Sequence, residues 1–414
     1  MSVAENKRPA GVLFVSQKPP WPPTDGGSLR AYHLLTALAE RRPVTLVTTG
    51  AGGAGQDEAR AALGERCRAV HFVTDVKAPG VLGRARTLVA ALALGDSALL
   101  RHNRNPHLIR RVRALLAEEA FAWVHLNHVD VAACLPPEGA PPVVLDTQNL
   151  YWVFYERAAA LSRNPLMTAL ERREARLLAR REPEVFRAAR AVLVCSETER
   201  QLVLARDPSL RVEVVPNGAD CARLVARPPD PSGPGGRLCF VGDMAYAPNA
   251  DGARWFIDEV LPLLRGRVEG LSFTVVGKDP PPDLVECARR HPDVEVTGFV
   301  RDPAQHLARA DLCVVPLRLG AGTRLKILEA FALGLPTVST RLGAEGIDCV
   351  DGEDLVLADE PAEFADAVAR LAADPDLRRS LGAAGRRTVE DRYDWAVIGE
   401  GLVGIYDALE SAED

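Results

Sequence analysis

The sequence predicts an α/β protein built from two doubly wound domains, each a parallel sheet covered by helices on both faces. Three observations predict it. Short, wholly apolar runs recur along the chain with helix-like segments between them, the pattern of strands buried on both faces. At 414 residues the chain exceeds what one hydrophobic core ordinarily supports. A Pro/Gly/Ser-rich stretch without periodicity, "ARPPDPSGPGG" at 226–236, separates two series of such runs.

The first series opens with "GVLFVS" (11–16), which is followed by a turn at Pro19 and Pro20. It continues through "VTLVTT" (44–49), "AVHFV" (69–73), "WVHLN" (123–127), "PVVLDT" (142–147) and "AVLVCS" (191–196). The second series is "LCFVGD" (238–243), "SFTVVG" (272–277), "VEVTGFV" (294–300), "LCVVPL" (312–317) and "PTVST" (336–340). The expected organisation is a domain over 1–225, a linker over 226–236, a second domain over 237–395 and a terminal helix over 396–414. Ligands of open α/β sheets bind beyond the carboxyl ends of the strands, so a cleft between the domains is the expected site.

Composition narrows the class. Hydrophobic content of 47% with 26% charged residues excludes a disordered chain. The first ten residues are largely polar and lead into a strand, so a cytoplasmic protein is expected, and no apolar stretch reaches the roughly 20 residues of a membrane span. The eight cysteines form no C-x-x-C pair and several sit in strand-like runs, which reads as buried, reduced thiols. Charge is uneven: residues 1–230 carry 31 Lys and Arg against 24 Asp and Glu, whereas the remainder carry 19 against 32. A net charge of −6 and 5% aromatic residues disfavour a nucleic-acid partner.

The stretch "LCVVPLRLGAGTRLKILEAFALG" (312–334) joins an apolar strand, a glycine turn and a helix, a common phosphate cradle. It is not an NTPase loop, because Lys326 comes too late and no Ser or Thr follows it. Nor does it match a dinucleotide fingerprint: Leu325 occupies the third glycine position, and the next strand is followed by Arg341 rather than an acid. On a helix of about 100° per residue, Leu325, Ile327, Leu328 and Phe331 cover one broad arc, with Lys326 and Glu329 together on the other side. A solvated ion pair is the bland account, but lysine before glutamate is the weaker order along a helix. The alternative is that Lys326 and backbone N–H groups meet a diphosphate, while Glu329 accepts hydrogen bonds from ribose hydroxyls.

The stretch "GAGTRLKILEAFALGLPTVST" followed by "GAEG" resembles the donor-site signature of retaining glycosyltransferases of family 4, and most closely their exopolysaccharide-associated subgroup. "PPWPPTDGGSLRAYHLLTALA", "VLVCSETERQLV", "VEVVPNGAD", "FVGDMAYAPNADGARWFIDEVLPLL" and "YDWAVIGEGLVGIYDAL" resemble further segments of that subgroup in the same order. The resemblance implies a GT-B fold of two Rossmann-like domains facing a central cleft, and a metal-independent transfer needing no cofactor beyond its substrates. The donor it implies is a nucleotide-diphosphate sugar of UDP or GDP type, the acceptor a sugar or lipid-linked glycan.

By the same resemblance, Glu329 matches the ribose-binding acid of the family's glutamate pair, and the other acid of that pair falls at Ala321. Gly242 matches a backbone position beside the diphosphate, with Asp243 next to it. The basic pair often found shortly afterwards is absent, which leaves Arg324 and Lys326 as substitutes. Gly298, Phe299 and Val300 match the loop that holds the nucleobase through main-chain contacts. Gly322 and Thr323 belong to the donor turn, and Gly26 and Gly27 match a loop facing the transferred sugar and phosphate, with Asp25 before them.

Gln148 stands where the family often has histidine, and a glutamine can hydrogen-bond a hydroxyl without exchanging a proton. His125 and His128, expected at the end of the preceding strand, are candidates to serve the acceptor, as is Asp146. Asp25 reads equally as a turn residue. No metal is expected: the only Asp-x-Asp, Asp374-Pro375-Asp376, reads as a helix start.

Residues 82–120 mix arginine with Leu, Val and Ala at helical spacing, with five arginines and no acid from Arg101 to Arg113. Such a surface suits peripheral contact with an anionic membrane, or a lipid-linked diphosphate acceptor. Two other functions fit the same architecture. A nucleotide-sugar epimerase would need no acceptor, and a degenerate binding protein would hold nucleotide without chemistry.

Overall fold

A computed structural model describes residues 11–50, 52–76, 80–137, 139–162, 164–226, 235–320 and 324–412. The chain divides into two compact units, Met1–Val215 with Gly399–Asp414, and Pro216–Ile398. The division thus falls at Val215 rather than within 226–236, most of which lies outside the described residues.

The first unit holds a seven-stranded parallel sheet. Its strands are β1 (Gly11–Ser16), β2 (Val44–Gly50), β3 (Ala69–Thr74), β4 (Phe121–Asn127), β5 (Val143–Asp146), β6 (Ala191–Val194) and β7 (Val212–Val214). Their order is β3-β2-β1-β4-β5-β6-β7, so the winding reverses between β1 and β4. Register pairs such as Val12 with Val44 and Val15 with Leu126 place uninterrupted apolar runs in the middle of the sheet. β1 is buried along its whole length, because helices cover both faces. Leu13, Val124, Leu145, Trp152, Phe186 and Val192 belong to this core.

In the second unit the strands are β8 (Arg237–Val241), β9 (Ser272–Val276), β10 (Val294–Val296), β11 (Leu312–Val315), β12 (Thr337–Ser339) and β13 (Val356–Leu357). Their order is β10-β9-β8-β11-β12-β13, and the reversal falls between β8 and β11. Phe240, Phe256, Phe273, Val314, Phe331 and Phe364 fill its core. Asp374 caps the helix Pro375–Arg392, accepting from the Asp376 and Leu377 amides at 3.0 and 2.9 Å, with Pro375 in its first turn. The Asp-x-Asp is therefore a helix start.

The final helix, Trp395–Glu410, contributes its residues from Gly399 onward to the first unit. There Gly399 lies against Ala37, where an added Cβ would meet the Ala37 Cβ at 2.8 Å. Glu410 accepts from Trp123 Nε1 at 3.1 Å and pairs with Arg42. All eight cysteines are free and seven are buried, with burial pushing the Cys313 thiol up to about 12.

Candidate functional site

The second unit assembles its candidate residues at the carboxyl ends of β8 and β11, where the strand order reverses. After β8 the chain turns at Gly242 and enters the helix Ala247–Trp255. After β11 it enters the helix Leu325–Ala332, with Lys326 in the first turn. Backbones approach closely here, since a Cβ on Gly277 would lie 1.6 Å from the Gly242 carbonyl oxygen. The Met244 amide donates to the Lys278 carbonyl at 3.0 Å, which ties the loops after β8 and β9 together.

Lys326 reaches across to the Gly242 loop. Its Nζ donates to Asn249 Oδ1 at 2.7 Å and lies 4.2 Å from the centre of the Phe240 ring. A Cβ on Gly242 would come within 2.6 Å of Asn249 Nδ2 and 2.9 Å of Lys326 Nζ, so only glycine leaves the amine beside this backbone. Among the described residues no ion pair joins Lys326 to Glu329, and the solvated-pair reading fails. Burial and the neighbouring Arg324 guanidinium bring the Lys326 amine down to about 7.

Arg324, at the start of the same helix, is buried, and its guanidinium packs on Gly320, whose φ of 113° suits glycine. Tyr246 is close enough to feel its charge. Burial raises the Glu329 carboxyl, while Arg223 and Lys326 pull it down. Arg223 itself lies 3.7 Å from Asp302. Asp243 acts through its main chain: its carbonyl accepts from Asn249 Nδ2 at 2.8 Å, while its carboxylate is occupied by the Ala245 amide and Lys278. Gly298 has φ 70°, Phe299 is 77% exposed and Val300 packs against the core. Gly322 and Thr323, like Ala321, lie outside the described residues.

In the first unit, Gly26 and Gly27 form the first turn of the helix Gly26–Ala39 at the carboxyl end of β1. Asp25 is its cap, accepting from the Ser28 amide at 3.1 Å while its own amide donates to Ser28 Oγ at 3.1 Å, and Lys18 pairs with its other carboxylate oxygen at 2.6 Å. Despite the cost of burial, the Lys18 and Ser28 hydrogen bonds hold the Asp25 carboxyl below its ordinary range. Gln148 lies over Gly27: a Cβ there would meet Gln148 Oε1 at 2.7 Å. Its Nε2 is 3.3 Å from Asn127 Oδ1, so Gln148, Asn127 and Gly27 do come together at the ends of β4, β5 and β1.

His125 does not join them. It sits inside β4 with no exposed surface, stacked on Phe14 at 4.4 Å and hydrogen-bonded through Nδ1 to the Tyr406 hydroxyl at 2.8 Å. Burial drives its pKa down to about 4. It is a core histidine, because the strand runs two residues past it, and this position offers a substrate nothing to touch. Asp146 is also removed from solvent, gripped by the buried Arg30 through Nε at 3.0 and 3.1 Å and Nη2 at 2.6 Å. His128 follows the strand at positive φ, with φ 80° and ψ 155°, a region that strongly favours glycine. Despite burial, Asp130, 3.4 Å from its Nδ1, raises the imidazole above its ordinary value.

Sequence reasoning missed Arg30, Arg223 and Asn249. For Asn249 a signal existed, an asparagine in the first turn of a helix after "AYAP", but its partner Lys326 lies 77 residues away. Among the described residues, Asp258, Cys287 and His291 bring ligand atoms within 4.8 Å of one another. Arg265 Nη2 lies 2.8 Å from His291 Nδ1, and because arginine can only donate, that lone pair is taken. Cys287 Sγ is 3.3 Å from Asp258 Oδ1, so these three side chains already have partners.

Two family models match the chain: "Glycosyltransferase Family 4" over residues 24–223 and "Glycosyl transferases group 1" over 235–374. The chain belongs to glycosyltransferase family 4. This family 4 chain is 29% identical over 240 residues to a GDP-mannose-dependent α-(1-6)-phosphatidylinositol monomannoside mannosyltransferase from Mycolicibacterium smegmatis. The match takes in 52% of this chain and 61% of that one, so the chain spans less than two thirds of that relative's length.

The GT-B fold is shared with solved structures. A sucrose-phosphate synthase from Thermosynechococcus elongatus superposes with a TM-score of 0.70 at 17% identity, covering 97% of this chain and 100% of that one. HepE from Anabaena, in complex with UDP and glucose, superposes with a TM-score of 0.67 at 15% identity, covering 96% and 100%.

Proposed function

We propose that the protein moves a sugar from a nucleoside-diphosphate sugar of UDP or GDP type to a hydroxyl of a sugar or lipid-linked glycan, with retention at the anomeric carbon. Exopolysaccharide or cell-envelope glycan synthesis is the setting this suggests. The observation that carries the reading is Lys326, whose amine is held beside the Gly242 backbone at the switch point of the second sheet. In the reaction the bond from the anomeric carbon to the diphosphate breaks, a bond to the acceptor oxygen forms, and the hydroxyl proton is released. Negative charge grows on the diphosphate, and a cation aimed at that position stabilises the transition state more than the ground state. Lys326 and Arg324 supply it, Glu329 takes the ribose hydroxyls, and the backbone of 298–300 takes the base. The GDP-mannose dependence of the mycobacterial relative and the UDP bound by HepE both fit a nucleoside-diphosphate sugar donor.

Thermal stability measured with UDP, GDP, ADP, TDP, NAD and NADP tests this. A hundredfold excess of a true ligand over its dissociation constant stabilises the fold by about 2.7 kcal/mol. A shift with one nucleoside diphosphate and none with NAD(P) supports the reading; a shift with NAD(P) alone refutes it. Lys326→Ala should lower turnover by a factor of roughly 100 or more, and near-normal turnover would remove Lys326 from the mechanism. Transfer is expected to survive a chelator, because the cations named above replace a metal.

Peripheral contact with an anionic membrane at the inner face of a cell is part of the same proposal. Among the described residues no helix is long and apolar enough to cross a membrane. Val89 and Leu94, the latter 65% exposed, lie on the helix Gly80–Leu94, and Leu166 (68%) and Met167 lie on Pro165–Arg187. Arg173 joins these helices by donating to the Ala91 carbonyl at 3.0 Å. With the Arg101–Arg113 cations, such side chains suit shallow binding. Leu94→Glu with Leu166→Glu should abolish sedimentation with phosphatidylglycerol vesicles; unchanged sedimentation would refute the contact.

A further inference from the structure

We propose that Asn249 is the positioning residue for Lys326, holding its ammonium over the Gly242 backbone where the donor diphosphate would lie and away from Glu329. The proposal rests on the donor-site reading above. Asn249 is buried in the first turn of the helix Ala247–Trp255, and both ends of its amide are committed. One end lies 2.8 Å from the Asp243 carbonyl, which can only accept, so that end is the NH2 group. The oxygen must then face Lys326, and it does, at 2.7 Å. The amide cannot flip without losing both bonds.

A lysine side chain has many rotamers and needs an anchor to act as an aimed charge. The Asn249 oxygen and the Phe240 ring provide two. Neither is ionised, so they direct the ammonium without cancelling its charge. Glu329 lies three residues on along the same helix and would cancel it by pairing. The ionisable groups around the amine are Arg324 and Glu329 on its own helix and Cys313 on β11. From the loop after β8, the Asp243 carboxylate is held by Lys278. Asparagine is thus the residue that can accept from lysine here without repelling a diphosphate.

The test is calorimetric binding of UDP, GDP and inorganic pyrophosphate between about pH 6 and pH 9, with wild type, Asn249→Ala, Asn249→Asp, Lys326→Ala and the Asn249→Ala/Lys326→Ala double variant. Thermal midpoints check that each variant is folded. A bound anion favours the protonated amine, so wild-type affinity should fall as pH rises through the free-state titration of Lys326. Asn249→Ala should weaken binding roughly ten- to a hundredfold, since it removes a hydrogen bond to a charged group. In the Lys326→Ala background it should cost less than about twofold.

Asn249→Ala should move the onset of the alkaline loss to lower pH, and the nearly isosteric Asn249→Asp should move it to higher pH. Opposite shifts are not expected of a merely structural role. If Lys326→Ala weakens binding while the Asn249 variants leave affinity and profile unchanged, the positioning role is wrong and the donor site stands. If wild type binds none of the three probes, the donor-site reading and this proposal fall together.

Discussion

Replacing Gly242 by alanine is the sharpest perturbation of the candidate site. Gly242 is not among the glycines with positive φ, so its backbone accepts an L side chain, and any effect comes from the methyl group. That methyl would stand 2.6 Å from Asn249 Nδ2, 2.7 Å from Asn249 Cγ and 2.9 Å from Lys326 Nζ, where ordinary contacts begin at 3.4 Å. The Asn249 amide must therefore retreat by about 0.8 Å. A displacement of that size takes bonds of 2.7 and 2.8 Å to the edge of hydrogen-bonding range or beyond. Loss of one bond to a charged group costs about 1.5–3 kcal/mol, or roughly ten- to a hundredfold in affinity. The assay is titration calorimetry with UDP and GDP on a variant whose thermal midpoint stays near wild type. Affinity within about twofold of wild type in a folded variant would refute the reasoning, because Lys326 would then not need this approach.

Three further outcomes follow from the geometry. Asp146→Ala should destabilise the protein by about 3–5 kcal/mol in urea unfolding, because it leaves the buried Arg30 guanidinium without its carboxylate; a loss under about 1 kcal/mol would contradict the pairing. His125 titrates near 4 when folded and near 6.5 when unfolded, so between those values the unfolded chain binds more protons and stability falls as pH falls. The loss should approach about 3 kcal/mol by pH 4, and His125→Asn should flatten it; an unflattened profile would assign the acid lability elsewhere. Arg223→Ala removes a charge that holds the Glu329 carboxyl down, so nucleotide affinity should begin to weaken at a higher pH on acidification; an unshifted acid limb would separate Arg223 from Glu329.

What the sequence determined by itself was whatever depends on neighbours along the chain. Continuous apolar runs between helix-like segments defined parallel sheets buried on both faces, and Asp374-Pro375 announced a helix start. The spacing of Lys326 and Glu329 set them apart from the apolar face of their helix, and the motif order carried the family. Their partners were decided only by tertiary structure. Strand order 3-2-1-4 places β1 beside β4 and β8 beside β11, joining residues far apart in sequence. That is how Asn249 meets Lys326 and how Arg30 meets Asp146 across 116 residues, while Arg223 reaches the neighbourhood of Glu329 from the segment before β8.

His125 and Gln148 make the same point from opposite sides. Both stand near strand ends in the sequence, yet His125 points into the core against Phe14 and Tyr406, while Gln148 lies over Gly27. Alternation along a strand says that successive side chains take opposite faces. Which face is core and which end carries the site is fixed by what packs there, and in this protein that includes residues from Gly399 onward, at the far end of the chain.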